Sequence, residues 1–118
     1  MVRGIGIDIV ENVRFKGKEE AFLRRIFTDS ELSGAPSLSK EEYFSSRFAS
    51  KEAFVKALGT GFSGITAREV EIAEDDAGKP YIVRNEKIES LVKECEIFLS
   101  ISHEHSYSVA MVVIDGKS

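Results

Sequence analysis

Two acidic residues and one lysine have the types and sequence contexts that catalysis at a phosphate requires. Asp8 lies in GIGIDIV near the start of the chain, whereas Glu52 and Lys56 lie four residues apart in SKEAFVKALGTG. A pair of carboxylates suits Mg²⁺, which prefers oxygen ligands, keeps several waters and takes further oxygens from a substrate phosphate. A lysine beside that pair would face the remaining phosphate oxygens. The three residues therefore predict a phosphate-handling Mg²⁺ site, if Asp8 and Glu52 meet in the fold.

The same residues also have ordinary structural interpretations. An aspartate at the end of a strand is placed to cap a following helix, which would begin here at Glu11. A Glu–Lys pair with i,i+4 spacing, such as Glu52 and Lys56, is common on helix surfaces. Spacing alone does not decide between these interpretations and the catalytic one.

A strand over residues 2–10 would position Asp8. Its apolar residues alternate onto one face, namely Ile5, Ile7 and Ile9. The other face carries Gly4, Gly6 and Asp8. Because glycines lack side chains, another backbone or a ligand can approach this face closely. We therefore expect Asp8 at the floor of a shallow trough.

A long helix over about residues 40–58 would position Glu52 and Lys56. Ser39 and Glu42 form a capping-box pattern at its start, and Gly59 with Gly61 supplies its stop. When residues are placed about 100° apart around the helix, one apolar arc appears. The arc consists of Phe44, Phe48, Val55 and Leu58.

Four charged residues lie on or beside this arc. Glu52 and Lys56 lie at its edge, whereas Arg47 and Lys51 fall inside it. A charged head group inside an apolar arc needs a partner or a route to water. Either these two cations extend to solvent, or they face phosphate oxygens beside the carboxylates. Arg47 and Lys51 are therefore candidate phosphate-binding residues.

The glycine-rich segment GTGFSG, residues 59–64, is a second candidate phosphate-binding element. Backbone N–H groups of Gly59, Thr60 and Gly61 could meet a phosphate there. Glycines after a helix also form an ordinary C-cap, and a helix C-terminus repels anions. The segment alone is thus a weak indication of a phosphate site.

Two histidines, His103 and His105, lie in the connection between two predicted strands. They lack a third nearby ligand of the kind that zinc uses, so the sequence does not predict a zinc site. We expect His103 to make a hydrogen bond or a subunit contact. A plain turn residue fits the spacing equally well.

A basic concentration occupies residues 11–27, ENVRFKGKEEAFLRRIF, in a chain whose net charge is −4. One or two short helices broken near Gly17 are predicted there. Single cations of this kind usually belong to a solvated helix face, but together they would dock an acidic partner. The cations are Arg14, Lys16, Lys18, Arg24 and Arg25.

The remaining pattern predicts an α+β fold. A capping-box pattern at Thr28 and Glu31 opens a short helix, and a later hairpin turns over residues 75–79. We expect one small domain over residues 1–118, in which a mostly antiparallel sheet packs against the long helix and shorter helices. The later strands and helix are predicted at residues 70–73, 80–83, 86–94, 97–102 and 107–114.

Composition excludes several classes of protein. The 118 residues, 42% of them hydrophobic and 31% charged, suit one compact soluble domain, and the net charge of −4 argues against a general nucleic-acid binder. Cys95 is the only cysteine, so an intrachain disulfide and a cysteine metal cluster are excluded, and a reducing cytoplasm is expected. No signal-peptide pattern or membrane-spanning apolar run occurs, so no membrane association is expected.

Four motifs occur in order across almost the whole chain: GIGIDIVEN, RFASKEAFVKALGTG, GKPYI and SISHEHSYSVAMV. Together they resemble the holo-[acyl-carrier-protein] synthase family of 4′-phosphopantetheinyl transferases. The resemblance implies transfer of 4′-phosphopantetheine from coenzyme A to a serine of apo acyl carrier protein, with release of adenosine 3′,5′-bisphosphate, in support of fatty acid biosynthesis. Serine attack on a diphosphate builds charge that a metal and a lysine can stabilise.

The resemblance also implies roles for individual residues. Asp8 and Glu52 match the Mg²⁺ ligands of the family, and Lys56 matches the lysine that neutralises the diphosphate. Glu52 is our candidate acceptor for the serine proton. Family members commonly form trimers with coenzyme A between neighbouring subunits, and His103 matches a position at that junction. A homotrimer with a Mg²⁺ cofactor is therefore expected.

Two partners follow from this assignment. Acyl carrier proteins are acidic as a family, so Arg14 with Arg24 or Arg25 would steer one towards the site. The other partner is coenzyme A. Its expected contacts are Arg47, Lys51, Lys56, Gly59, Thr60, Gly61 and His103.

A non-catalytic oligomer that binds a nucleotide or an acidic protein through the same cations is the alternative hypothesis. It predicts ligand binding that is indifferent to Mg²⁺ and to Asp8→Asn. The transferase hypothesis predicts that both matter.

Overall fold

The computed structural model describes residues 1–116, and the expected α+β class is confirmed. Two short 3₁₀ turns, Asn12–Phe15 and Ala67–Glu69, accompany the regular elements. Within these residues the elements are β1 (Val2–Glu11), α1 (Glu20–Leu23), α2 (Asp29–Ser33), α3 (Lys40–Leu58), β2 (Ile72–Glu74), β3 (Pro80–Ile82), α4 (Glu86–Leu91), β4 (Cys95–His103) and β5 (Tyr107–Gly116).

An antiparallel sheet of order β1-β5-β4 forms one layer of the fold. The first and last strands of the chain are neighbours in it, with Asp8 opposite Ala110 and Val2 opposite Asp115. β2 and β3 form a separate two-stranded hairpin, with Asp75 accepting a backbone hydrogen bond from Gly78 in the turn. The predicted antiparallel pairing is therefore present, but it is divided between two sheets.

The glycine face of β1 receives α3 with no room for a side chain. A Cβ placed on Gly4 would lie 2.0 Å from the carbonyl oxygen of Ala57, and one on Gly6 would lie 1.9 Å from that of Ala53. Since van der Waals contact needs more than 3 Å, only glycine allows this approach. Of the two alternatives expected for this face, a backbone or a ligand, the structure shows a backbone. The isoleucines on the opposite face are all more than half exposed: Ile5, Ile7 and Ile9.

The long helix is the centre of the core rather than an amphipathic cover. It packs on β1 and β5 on one side and on the first 3₁₀ turn and β2 on others, so residues around most of its circumference are buried. Phe44 and Val55 from the predicted arc are buried, but so are Ala53 and Phe54 on other sides. Next to it, aromatic rings pack with centroids 4.8–6.4 Å apart, namely those of Phe15, Phe27, Phe44 and Phe48.

The ends of α3 have different physical causes. Gly59 adopts φ 81° and donates its N–H to the carbonyl of Val55, which confirms the predicted C-cap. At the other end, Ser39 adopts φ 62° and its side chain makes no capping hydrogen bond, so the predicted capping box with Glu42 is wrong. The capping box of Thr28 with Glu31, by contrast, is present.

Some predicted ranges were too long or too short by a few residues. The helix expected over residues 86–94 ends at Leu91, and Glu94 beyond it has φ 57°. The hairpin arms shorten to Ile72–Glu74 and Pro80–Ile82, whereas β4 and β5 each extend past their predicted ends. No helix within residues 1–116 is long and apolar enough to cross a membrane.

Candidate active site

The contact between β1 and α3 brings Lys56 onto Asp8. Lys56 Nζ donates hydrogen bonds to Asp8 Oδ1 and to the carbonyl oxygen of Ile7, each at 3.0 Å. The Asp8 side chain is only 16% exposed, while that of Lys56 is half exposed. Because Asp8 shares the glycine face on which the helix lies, the alternation of β1 and the close helix contact together produce this pair.

Glu52 lies one helical turn before Lys56 and belongs to the same group of charges. Its carboxyl is partly buried, and this burial, followed by the negative charge of Asp8, raises its pKa. The charges of Lys56 and Arg14 act in the opposite direction. Because Glu52 lies one turn from Lys56 on α3, and Lys56 contacts Asp8, the fold brings the two carboxylates into one neighbourhood.

Arg14 forms the rim of this neighbourhood. It comes from the 3₁₀ turn that follows β1, and its guanidinium lies 4.9 Å from the ring centroid of Phe48. Phe48 in turn packs against Phe15 with ring centroids 5.6 Å apart. The site thus has two acids at its floor, an ammonium group between β1 and α3, and an exposed guanidinium near Glu52.

The donor set at the floor fits Mg²⁺. Asp8 and Glu52 supply carboxylate oxygens, the ligands that hard divalent cations prefer, and Mg²⁺ usually takes only one or two such groups from a protein. Among residues 1–116, no group of three or more His, Cys, Asp or Glu side chains is arranged to hold a metal. A site of two carboxylates completed by water and phosphate oxygens is of the kind that Mg²⁺ uses.

Lys51 and Arg47 lie elsewhere, and their assignment to the phosphate of this site is corrected by the structure. Lys51 Nζ is fully buried and donates to Glu31 Oε1 and to the carbonyl oxygens of Ala67 and Val70. These three bonds use all the donors of an ammonium group. The apolar arc that contains Lys51 faces the core, so its head group meets protein rather than ligand.

Arg47 is also turned away from the carboxylates. Its guanidinium carbon lies 3.7 Å from the ring centroid of Tyr43, and Nη2 lies 3.4 Å from Glu74 Oε1. Arg47 is five residues before Glu52, which places the two side chains about 140° apart around the helix. Within one chain, Arg47 therefore faces β2 and not the site on β1.

The glycine-rich loop, residues 59–64, begins one turn beyond Lys56 and is exposed. Gly59, Gly61 and Gly64 have φ values of 81°, 60° and 84°, and a Cβ on any of them would meet no atom within 4 Å. The left-handed backbone explains why glycine is needed at these positions. The loop thus begins directly after α3, where the N–H of Gly59 is bonded to the carbonyls of Val55 and Lys56.

His103 lies at the far end of α3 from Lys56. Its Nδ1 is 3.3 Å from Glu42 Oε2, and its side chain is half exposed. Glu42 is ten residues before Glu52, or about 15 Å along the helix axis at 1.5 Å per residue. His103 therefore does not join the Asp8–Glu52–Lys56 group of its own chain.

The hairpin loop that follows His103 is held by Asn12, a residue that the sequence analysis did not single out. Asn12 Nδ2 donates to the carbonyl oxygens of Glu104 and His105 at 3.2 Å each, and Oδ1 accepts from Ser108 Oγ at 2.7 Å. Asn12 stands directly after β1, where a buried amide gives no periodic signal. Its partners lie more than 90 residues away and become neighbours only because β1 pairs with β5.

The three arginines expected to dock a partner differ in their surroundings. Arg24 is paired with Glu20 at 3.1 Å and with Asp29 at 3.2 Å, and Asp29 also accepts from Arg68. Arg14 and Arg25 are exposed, and neither forms an ion pair within residues 1–116. The charge of Arg24 is thus partly neutralised by its own chain.

Comparison with known proteins gives the family. Residues 4–112 match the model of the 4′-phosphopantetheinyl transferase superfamily. A holo-[acyl-carrier-protein] synthase of Pelagibacter ubique (strain HTCC1062) is 41% identical, with 98% of each chain covered.

Two solved structures have the same fold over their full length. A holo-(acyl-carrier-protein) synthase from Bacillus anthracis str. Ames, in complex with CoA (3′,5′-ADP), has a TM-score of 0.85 at 36% identity, with 99% of each chain covered. The Helicobacter pylori holo-[acyl-carrier-protein] synthase in complex with coenzyme A has a TM-score of 0.81 at 29% identity, covering 94% of this chain and 99% of that one. The resemblance carried by the four motifs is thereby confirmed. The chain belongs to the 4′-phosphopantetheinyl transferase superfamily, as a member of its holo-[acyl-carrier-protein] synthase family.

Proposed function

We propose that this enzyme transfers 4′-phosphopantetheine from coenzyme A to a serine hydroxyl of an apo acyl carrier protein, and that it supports fatty acid biosynthesis. The convergence of Asp8, Glu52 and Lys56 at the contact between β1 and α3 is the observation that carries the proposal. The relatives that bind coenzyme A support the choice of donor. The whole chain, residues 1–118, would act as one transferase domain.

In the proposed reaction, the serine oxygen forms a bond to the β-phosphorus of coenzyme A. The bond from that phosphorus to the bridging oxygen breaks, and adenosine 3′,5′-bisphosphate leaves with the electron pair. Glu52 is the candidate acceptor for the serine proton, since it lies one helical turn from Lys56 at the β1–α3 contact. Lys56 uses two of its three donors on β1, which leaves one for a phosphoryl oxygen.

Mg²⁺ is the proposed cofactor, and Asp8 and Glu52 are its proposed ligands. When bound, the ion supplies positive charge against the diphosphate oxygens. The protein's own contribution is the position of the two acids, which the β1–α3 contact holds. The glycine-rich loop, through Gly59, Thr60 and Gly61, is the proposed contact for coenzyme A beside Lys56.

The carrier protein is proposed to dock beside Arg14. An acidic partner would be attracted by Arg14 and Arg25, with Arg24 contributing less because Glu20 and Asp29 already neutralise it. If the docking is electrostatic, the Michaelis constant for the carrier should rise steeply with salt. Neither nucleic acid nor a membrane is a proposed partner, and the single cysteine, a free thiol, supports the cytoplasm as the compartment.

A homotrimer is the proposed assembly. The exposed face of the β1-β5-β4 sheet is apolar over β1 and β5, and β4 adds Phe98 to it; an apolar surface of this kind is unusual in contact with water. His103 would then serve the site of a neighbouring subunit, in keeping with its distance from the site of its own chain. The apolar side chains of this face include Ile5, Ile7, Ile9, Phe98 and Met111.

The deciding experiment is a mass measurement on the carrier. Purified protein is mixed with coenzyme A, Mg²⁺ and apo acyl carrier protein, and the carrier is weighed by mass spectrometry. We expect a gain of one phosphopantetheine with wild-type protein, none with Glu52→Gln, and a full gain with Glu86→Gln on α4 as the matched control. A protein that only bound its ligands would leave the carrier mass unchanged, and that result would contradict the proposal.

A further inference from the structure

A buried ion pair outside the candidate site joins α3 to two other parts of the fold. Lys51 Nζ donates to Glu31 Oε1 at 2.8 Å, to the Ala67 carbonyl at 2.9 Å and to the Val70 carbonyl at 2.7 Å. Both charged side chains are fully shielded from solvent. No donor of the ammonium group remains for a ligand. Whatever Lys51 does for the reaction, it does through the protein.

Glu31 extends these contacts along the chain. Its Oε2 accepts from the backbone N–H of Ile72 at 3.0 Å, and its Oε1 accepts from that of Thr28 at 2.9 Å. The three bonds of Lys51 and these two are called here the Glu31–Lys51 network. Three of the five hold the backbone of residues 67–72, which is the segment that follows the glycine-rich loop.

Stability alone does not account for the network. The desolvation cost of a buried ion pair is often as large as its attraction, so the charge pair by itself is weak evidence of a stabilising role. An apolar pair, however, cannot hold two backbone carbonyls and one backbone amide in place. The network therefore determines where residues 67–72 lie on α3.

The glycine-rich loop depends on that position. At one end, the N–H of Gly59 is bonded to the carbonyls of Val55 and Lys56 on α3. At the other end, the loop is followed by Ile65, whose side chain is buried, and then by residues 67–72. In between, a Cβ on the loop's glycines would meet only open space. The loop is thus positioned by its two ends, and both are attached to α3.

We propose that Glu31 and Lys51 are positioning residues for coenzyme A, which hold the glycine-rich loop in place relative to Lys56. Because Lys51 and Lys56 belong to one helix, tying the returning chain to Lys51 sets the distance between the loop amides and the ammonium group of Lys56. The inference rests on the proposed function, since it takes the loop as part of the coenzyme site. Neither residue touches the coenzyme.

The test is the double variant Glu31→Gln/Lys51→Met, which removes both charges and leaves neither partner buried alone. We expect the Michaelis constant and the dissociation constant for coenzyme A to rise at least about fivefold, as for a typical coupling between sites. The turnover number and the Michaelis constant for the carrier should stay within about twofold, because the chemistry at Lys56 is unaltered. Backbone amides of residues 59–72 should exchange faster with deuterium. Ile88→Val, a core change in α4, is the stability control and should keep the coenzyme constants.

A second measurement uses the wild-type protein and requires no variant to fold. If the loop and residues 67–72 move together, coenzyme A should slow amide exchange in both segments. Protection confined to residues 59–64 would overturn the proposal.

The remaining outcomes are also decisive. The proposal is overturned if the double variant folds and keeps both the coenzyme affinity and the loop exchange rates of the wild type. It is also overturned if the double variant and Ile88→Val lose turnover and coenzyme affinity to the same extent. If the proposed function is wrong, wild-type protein adds no mass to the carrier. In that case, coenzyme affinity and amide exchange still decide the role of the Glu31–Lys51 network. Wild-type protein that binds no coenzyme A overturns both.

Discussion

Lys56 donates a hydrogen bond to Asp8 across the contact between α3 and β1, with Nζ and Oδ1 3.0 Å apart. The two residues are 48 positions apart in sequence, and the pair is the direct result of a helix packed on two glycines. The ammonium group is thereby held beside the carboxylate proposed to bind Mg²⁺. The fold therefore determines where the ammonium group of Lys56 lies relative to Asp8.

Lys56→Gln is expected to lower the turnover number about 100-fold, the usual loss when one group that stabilises developing charge is removed. The thermal unfolding midpoint should change little, since the Lys56 side chain is half exposed. Steady-state transfer to the carrier measures the effect. Lys87→Gln, an exposed change on α4, is the control, and equal activity of the two variants would remove Lys56 from the mechanism.

Glu52→Gln is expected to raise the thermal unfolding midpoint at pH 7. Burial and then the charge of Asp8 raise the pKa of Glu52, so the folded protein favours the protonated carboxyl more than the unfolded chain does. The stability contributed by this group is fully present below the unfolded pKa and is lost as pH rises through the higher folded pKa. Glutamine stays neutral and avoids that loss.

The measurement is thermal unfolding of both proteins at several pH values in buffer with a chelator, because Mg²⁺ would neutralise the same carboxylate. The difference in unfolding midpoint between variant and wild type should disappear as the pH falls below the ordinary pKa range of a glutamate. A gap that is independent of pH would show that the substitution acts on packing and not on ionisation.

Gly6→Ala is expected to destabilise the protein by about 1–3 kcal/mol or more, as for other overpacked sites. Its Cβ would lie 1.9 Å from the carbonyl oxygen of Ala53, so α3 must move off β1. That movement would also separate Lys56 from Asp8 and lower transfer. Urea unfolding gives the free energy of unfolding.

Gly34→Ala is the matched control for this change. Its Cβ would lie 3.1 Å from the hydroxyl of Tyr43, which is the tip of a side chain, and Gly34 has an ordinary φ of −82°. Gly34→Ala should lower the free energy of unfolding much less than Gly6→Ala does. If the two variants were equally stable, the close helix contact would not be what requires glycine on β1.

Ile7→Asp is expected to convert the proposed trimer into smaller species. Ile7 is 58% exposed in the single chain and lies opposite Met111 in the middle of the apolar sheet face. A charge buried in such an interface would lack a partner. Light scattering at working concentration reports the assembly, and Leu38→Asp, at an 82% exposed position outside the sheet, should leave it unchanged. A wild-type monomer would contradict the proposed assembly itself.

Local patterns were sufficient to predict α3 and the face of β1 that it covers. The range of residues 40–58 was correct because Gly59 ends the helix, although Ser39 does not cap its start as expected. The alternation of β1 placed Asp8 on the glycine face, and one helical turn placed Lys56 beside Glu52. Much of the site therefore follows from two periodicities and the small size of glycine.

Long-range pairings could not be predicted in the same way. A period of two assigns residues to faces of a strand but does not say which strand is its neighbour, so the pairing of β1 with β5 was not predicted. A cation in an apolar arc indicated that Lys51 needed a partner, but nothing marked Glu31, whose capping role already accounted for its position. Lys51 was therefore assigned to a phosphate, because no sequence pattern marks a carboxylate that is buried in the fold.

The pairing of Val2 with Asp115 has a consequence for synthesis. The strand that bears Asp8 is translated first, yet the strand that completes its hydrogen bonding is translated last. A nascent chain on the ribosome holds all three proposed catalytic residues long before β5 exists, with the edge of β1 unpaired in the meantime. Premature termination before Tyr107 would therefore leave the three proposed catalytic residues in the polypeptide and abolish the framework that brings them together.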